Sequence, residues 1–262
     1  MAVGTTQLPE TARGPGKIRI AAAGDIHGGE SNREAVAAAF SRIDGRADLI
    51  LLAGDLTTHG EPEQAAVVAD ACRSLGTPVI TVLGNHDLHT GRGDEVAEVL
   101  RDAGITVLDK GWTTRAVRGC EVGIVGTKGF VGGFRGTHLP DFGEASLRAV
   151  YAETTEEVAA LDAGLREVAF CAYRVVLLHY TPTSETIEGE PREIWTFLGT
   201  DRLQAPIVEH RPDLVLHGHA HAGSFKGSVA GVPVYNVSVP VMGRDFWVFE
   251  LTAPPVPSTP IR

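Results

Sequence analysis

Cysteine is scarce in this chain: three among 262 residues, at Cys72, Cys120 and Cys171, with no C-x-x-C pair. An odd, scattered set argues against a disulfide framework or a thiolate metal site. It reads as buried reduced thiols in a cytoplasmic protein. No apolar run approaches the roughly 20 residues needed to cross a bilayer. Residues 1–16 have no apolar stretch of the kind a secretory signal carries, and they read as a disordered N-terminal segment. A basic excess is also missing. With 23 Lys and Arg against 33 Asp and Glu the formal net charge is −10, which disfavours broad binding to duplex nucleic acid. Internal repeats are absent, and residues 253–262 form a Pro-rich tail.

What is present is an ordinary globular composition, 43% hydrophobic and 21% charged, of a length that suits one large domain over residues 17–252. Strand and helix patterns alternate, which implies a layered α/β architecture. The pattern predicts strands at 17–23, 48–53, 78–83, 173–179 and 213–217. Helices are predicted near 31–43, 61–75, 94–103, 144–170 and 200–210, with Ser31 or Asn32 capping the first and Pro62 opening the second. Residues 105–125 and 224–251 read as antiparallel strands, with turns at Arg118-Gly119 and Gly231-Val232-Pro233. Two irregular stretches remain, a glycine-dense one at 126–143 and another at 181–199. Both are candidates for substrate selection, because loops on rigid scaffolds carry specificity.

Each predicted parallel strand delivers a polar group to the loop that follows it. The groups are Gly24-Asp25-Ile26-His27, Gly54-Asp55, Gly84-Asn85-His86-Asp87, His179 and Gly218-His219-Ala220-His221. Taken singly these are bland: an Asp after glycine caps helices, an Asn forms turns, a lone His packs in cores. Together, on the C-terminal ends of strands sharing a sheet, they predict one site at that edge. Asp25 with His27, and His219 with His221, are two residues apart, so an extended chain end points both members of each pair the same way. Asp55 has two carboxylate oxygens and is the natural bridge between two cations. The donors divide into Asp25, His27, Asp55 and His221 for one ion, and Asp55, Asn85, His179 and His219 for the other. Mixed oxygen and nitrogen donors suit Mn, Fe or Zn, and four per ion leaves room for water and substrate.

The ordered pattern D-x-H, G-D, G-N-H-D, H and G-H-x-H, spanning residues 25 to 221, resembles the calcineurin-like metallophosphoesterase superfamily. The resemblance implies a four-layer α/β/β/α sandwich of two mixed sheets. It also implies two divalent or trivalent transition-metal ions and hydrolysis of a phosphoester by a metal-bridging hydroxide. His86 would then contact the phosphoryl group or protonate the leaving oxygen, against the alternative of a loop histidine held by Asp87.

Within the superfamily, Asp87 stands where the protein phosphatases have Glu, and no V-D-R-G segment follows Asp55. Thr58 stands where purple acid phosphatases place a tyrosine ligand. What remains resembles small bacterial phosphodiesterases, so a small phosphodiester such as a cyclic nucleotide is the expected substrate. A phosphomonoesterase and a noncatalytic metal-binding module are the alternatives. Lys128, Arg135 and Arg192 are candidates to meet phosphate, and Phe130, Phe134 and Trp195 to stack on a base. His217 is read as supporting the site rather than ligating, His59 and His89 as lining it, and His138 and His210 as surface groups.

Overall fold

The structure is a computed structural model that describes residues 17–252. The expectations for residues 1–16 and 253–262 lie outside that range. The chain first lays down β1 (Lys17–Ala23), α1 (Arg33–Ile43), β2 (Leu49–Ala53), α2 (Pro62–Cys72), β3 (Val79–Val82), α3 (Gly93–Asp102) and β4 (Thr106–Val107). Pro62 sits in the first turn of α2, where its missing N–H costs nothing. Neither predicted cap closes α1: the Asn32 side chain instead ties a single preceding 3-10 turn to Gly29 N and His27 O.

The second half begins with β5 (Gly111–Val117), β6 (Cys120–Gly126), α4 (Ala145–Glu167) and β7 (Tyr173–Leu177). It continues with α5 (Trp195–Leu198), α6 (Gln204–His210), β8 (Leu214–His217), β9 (Lys226–Val229), β10 (Val232–Asn236), α7 (Val239–Met242) and β11 (Trp247–Thr252). One sheet runs β11-β1-β2-β3-β4 and the other β5-β6-β7-β8-β10-β9. Both are mixed, and the four-layer sandwich implied by the motifs is the fold found.

Alternation decides which face meets what. Val175 and Leu177 of β7 join Ile20, Leu51 and Ile80 in the core between the sheets, while Val176 faces Leu161, Leu165 and Ile207 under α4 and α6. All of β2 is buried, as a central strand covered on both faces must be.

Three expectations change. The donor-bearing strands do not share one sheet: β1, β2 and β3 lie in the first and β7 and β8 in the second. Residues 105–125 are not wholly antiparallel, because β4 pairs parallel with β3 and β6 parallel with β7, and only β5-β6 is a hairpin. Residues 224–251 also split: β9 and β10 pair antiparallel in the second sheet, and β11 crosses to flank β1 in the first. Local pattern marks a strand but not which neighbour takes its free edge. Val237 joins the sheets, accepting from Gly24 N at 2.8 Å and donating to His217 O at 2.7 Å.

Candidate metal centre

The C-terminal ends of both sheets meet at this junction, and the polar loops converge there. Asp25, His27 and His221 bring ligand-type atoms within 4.8 Å of one another, as do Asp55, His179 and His219. Four of these six, Asp25, His27, Asp55 and His219, adopt left-handed backbone conformations, with φ of 56°, 47°, 51° and 71°. Side chains disfavour that region, so the surrounding structure over-determines it, as it does where strain serves a site. Glycines beside them permit the close approach. Gly54 has φ of +80°, and a Cβ there would lie 2.7 Å from His179 Nδ1. A Cβ on Gly84 would collide with Asp55 Oδ1.

Backbone carbonyls orient the rings. A carbonyl can only accept, so His27 Nδ1–H donates to Thr57 O at 3.2 Å and His179 Nδ1–H to Ala53 O at 2.8 Å. His86 Nδ1–H likewise donates to Thr58 O at 2.7 Å, and His219 Nε2–H to Phe197 O at 3.0 Å. In each ring one nitrogen is thus fixed by the backbone and the other is left for the site, the usual arrangement behind metal-binding imidazoles.

His179 Nε2 then faces Asn85 Oδ1 at 2.8 Å, two acceptors whose contact a shared cation relieves. Asp55 carries a sharper signal. Its Oδ1 accepts from His86 N at 2.8 Å, but Oδ2, in a residue with no solvent exposure, has no partner. A buried carboxylate oxygen left unpaired is costly, and a bridging position between two cations removes the cost. The donor set therefore fits bound metal.

Charge around the centre follows the same plan. Burial opposes ionisation of Asp25, yet the His221 hydrogen bond at 2.8 Å holds its carboxyl below the ordinary 3.8. Burial lowers His219 to about 3 and His217 to about 4. His217 is closed off by Gly218 O and Thr186 Oγ1, both at 2.8 Å, so its ring has no lone pair to spare for the site.

His86 is not held by Asp87. Asp87 is buried and accepts from Leu56 N, Thr57 N, Thr57 Oγ1 and Gly84 N, pinning the Asn85 loop to the Asp55 loop. His86 stands free of it, its Nε2 4.0 Å from Asp55 Oδ2 and its side chain 42% exposed.

The proposed substrate contacts sort less well. Arg135 is exposed and away from any partner among the described residues, and Arg192 lies against the Trp195 ring. Phe134 is packed with Ile187, Leu198 and Ala220, so it has no face to offer a base. Lys128 is 12% exposed, with Nζ 3.9 Å from the Phe130 ring and 3.8 Å from Glu153. Burial lowers its pKa, and it lines a cleft of about 410 Å³ that reaches Leu83 and Leu88 beside the Asn85 loop. His59 and His89 pair on the exposed rim, ring centroids 6.4 Å apart. His138 pairs with Asp201. His210 bonds Asp162, which Arg166 already neutralises.

Sequence reasoning missed Tyr180, whose ring lies 4.4 Å from His219 and 5.3 Å from His179. Its position directly after His179 was the available signal. The carbonyls of Ala53, Thr57, Thr58 and Phe197 were missed as well.

A two-sheet sandwich with Asp, Asn and His donors gathered at its seam defines a metal-dependent phosphoesterase class. The profile of the calcineurin-like phosphoesterase family matches residues 18–223, and the chain belongs to that family. No curated protein matches the sequence. Among solved structures the chain is similar to a phosphopantetheinyl hydrolase of Mycobacterium tuberculosis, at 18% identity and a TM-score of 0.67, covering 95% of this chain and 100% of that one. It is also similar to GAP50, the inner-membrane-complex anchor of Plasmodium, at 13% identity and TM-score 0.58, covering 90% and 82%. A putative 5'-nucleotidase of Staphylococcus aureus matches at 15% identity and TM-score 0.57, covering 94% and 56%. At such identities the likeness speaks to the fold alone. No helix among the described residues is long and apolar enough to cross a membrane.

Proposed function

We propose that this protein hydrolyses a small phosphodiester at a centre of two transition-metal ions, Mn, Fe or Zn. Asp25, His27, Asp55 and His221 would hold one ion, and Asp55, Asn85, His179 and His219 the other. The observation that carries the reading is the unpartnered, fully buried Oδ2 of Asp55, a residue whose ligand-type atoms group both with His179 and His219 and with His27 and His86. Bound ions would neutralise the phosphoryl charge and supply an activated water.

The chain's own residues do the rest. Asp87 fixes the loop that presents Asn85 and His86, and the carbonyls of Thr57, Thr58, Ala53 and Phe197 set which ring nitrogen faces inward. His86, oriented by Thr58 and open to solvent on its other side, is suited in its doubly protonated form to donate from Nε2 a hydrogen bond to the phosphoryl group or a proton to the leaving oxygen.

Diester preference rests on the motif forms around Asp55 and Asp87, and kinetics test it. With the same metal loaded, kcat/KM on bis-(p-nitrophenyl) phosphate should exceed that on p-nitrophenyl phosphate, and cyclic nucleotides belong in the same panel. A reversed ratio replaces the diester reading with a monoesterase. No turnover of either ester by a fully metallated protein replaces both with a noncatalytic metal-binding module.

A further inference from the structure

Tyr180 is 5% exposed, yet its hydroxyl makes no hydrogen bond to any described residue. Buried phenols normally find a partner, because an aromatic body goes into the interior more readily than its polar tip. The hydroxyl is also not sealed away from solvent: among the described residues the unpartnered buried side-chain oxygen is Asp55 Oδ2. The little exposure that Tyr180 retains therefore includes its hydroxyl, a wet tip on an otherwise enclosed ring.

That ring is fixed on several sides. His219 lies 4.4 Å away, His179 5.3 Å and Phe130 5.7 Å, the last edge-on. Its Cβ is close behind Gly129, where an added methyl would approach within 3.3 Å. Tyr180 N donates to Lys128 O at 3.0 Å, and that same carbonyl accepts from His179 N at 3.0 Å. Tyr180 is thus held in the same frame as the proposed donors of the second ion, with its hydroxyl left without a protein partner. Pre-set donors at the place where charge develops are the form in which hydrogen bonds serve catalysis best.

We propose that the Tyr180 hydroxyl donates a hydrogen bond to a non-bridging phosphoryl oxygen of the bound ester. This rests on the phosphoesterase reading above and adds a recognition group that follows β7 of the second sheet, where His86 belongs to a loop of the first. A hydrogen bond to a charged oxygen gives about 10–100-fold in rate or affinity.

Tyr180→Phe keeps the ring and removes only the hydroxyl. Four measurements on it should agree. The melting temperature of the metal-free protein stays that of wild type, because no protein partner is lost. Uptake of two Mn²⁺ is unchanged. On a diester kcat falls ~10–100-fold with KM little altered, and inorganic phosphate binds the Mn²⁺-loaded protein more weakly by calorimetry. Equal kcat and equal phosphate affinity would overturn the inference. So would a lowered melting temperature with metal uptake falling in step with activity, since Tyr180 would then be packing and nothing more. Phosphate binding is read independently of turnover. If wild type hydrolyses no ester, the function reading fails, while weaker phosphate binding by the variant still supports phosphoryl recognition and equal binding overturns it.

Discussion

In the proposed centre, Asp55 is the residue on which both halves depend. Asp55→Asn removes charge from the shared donor while leaving an oxygen that can still accept from His86 N. Both ions should weaken, by more than the ~10–100-fold that follows from disturbing a partner behind a ligand, and activity should collapse with them. Metal stoichiometry after dialysis against a fixed Mn²⁺ concentration reads this directly; two tightly held ions in the variant would remove Asp55 from the bridge. His86 separates binding from chemistry. His86→Ala should leave both ions in place and lower kcat on alkyl diesters by ~10²–10⁴-fold, with a smaller loss on p-nitrophenyl esters, whose leaving group hardly needs a proton. Rates on the two substrates with metal content measured in parallel check it, and equal losses with depleted metal would end the acid role. The donors were legible in sequence because each follows a hydrophobic strand in a fixed order. The groups that orient them were not, since a carbonyl such as Phe197 O or Thr58 O can belong to any residue type.

Helix α4 acts on the site from a distance. Its Glu157, 1% exposed on the side chain, accepts from Thr127 Oγ1 and Gly129 N, and so clamps the segment whose Lys128 carbonyl holds His179 and Tyr180. Glu157→Leu would leave those two donors unpaired. It should cost about 2–4 kcal/mol of stability and weaken the ion near His179 more than the one near His27. Glu157→Gln keeps an acceptor and should cost far less.

Burial raises the Glu157 carboxyl above its ordinary 4.5. An acid raised in this way contributes stability below pH 4.5 and loses it as pH climbs through the folded value. The Gln variant should therefore gain on wild type as pH rises from 4.5 toward neutrality. Denaturant midpoints at pH 4.5 and 7 test the sign, and a relative loss on the way up contradicts it. This link was not visible in the sequence. The 23-residue helix reads only as a long amphipathic element, and Lys128 reads as a phosphate contact until α4 is seen to bring Glu153 beside its ammonium. The parallel partners of β4 and β6 were hidden for a related reason, because two- to seven-residue strands of mixed burial state no preference for a neighbour.

At the scale of the whole molecule, two sheets facing each other bring β1, β2 and β3 against β7 and β8, so donors separated by up to 196 positions in sequence meet at one seam. Each sheet alone carries an incomplete set: Asp25, His27, Asp55 and Asn85 come from the first, His179, His219 and His221 from the second. Metal binding should accordingly tie the two layers together. Excess Mn²⁺ is expected to raise the melting temperature with the logarithm of its concentration, as any ligand of the folded state alone must. No shift on a sample that takes up metal would place the ions elsewhere. The most direct measurement is a titration of chelated, verified metal-free protein with Mn²⁺, following bound metal and hydrolysis of bis-(p-nitrophenyl) phosphate together. Two ions per chain, with activity absent at the start and restored as the pair fills, is the expected result. Full activity in the metal-free sample, or saturation at a single ion with full activity, would contradict a two-ion centre bridged by Asp55.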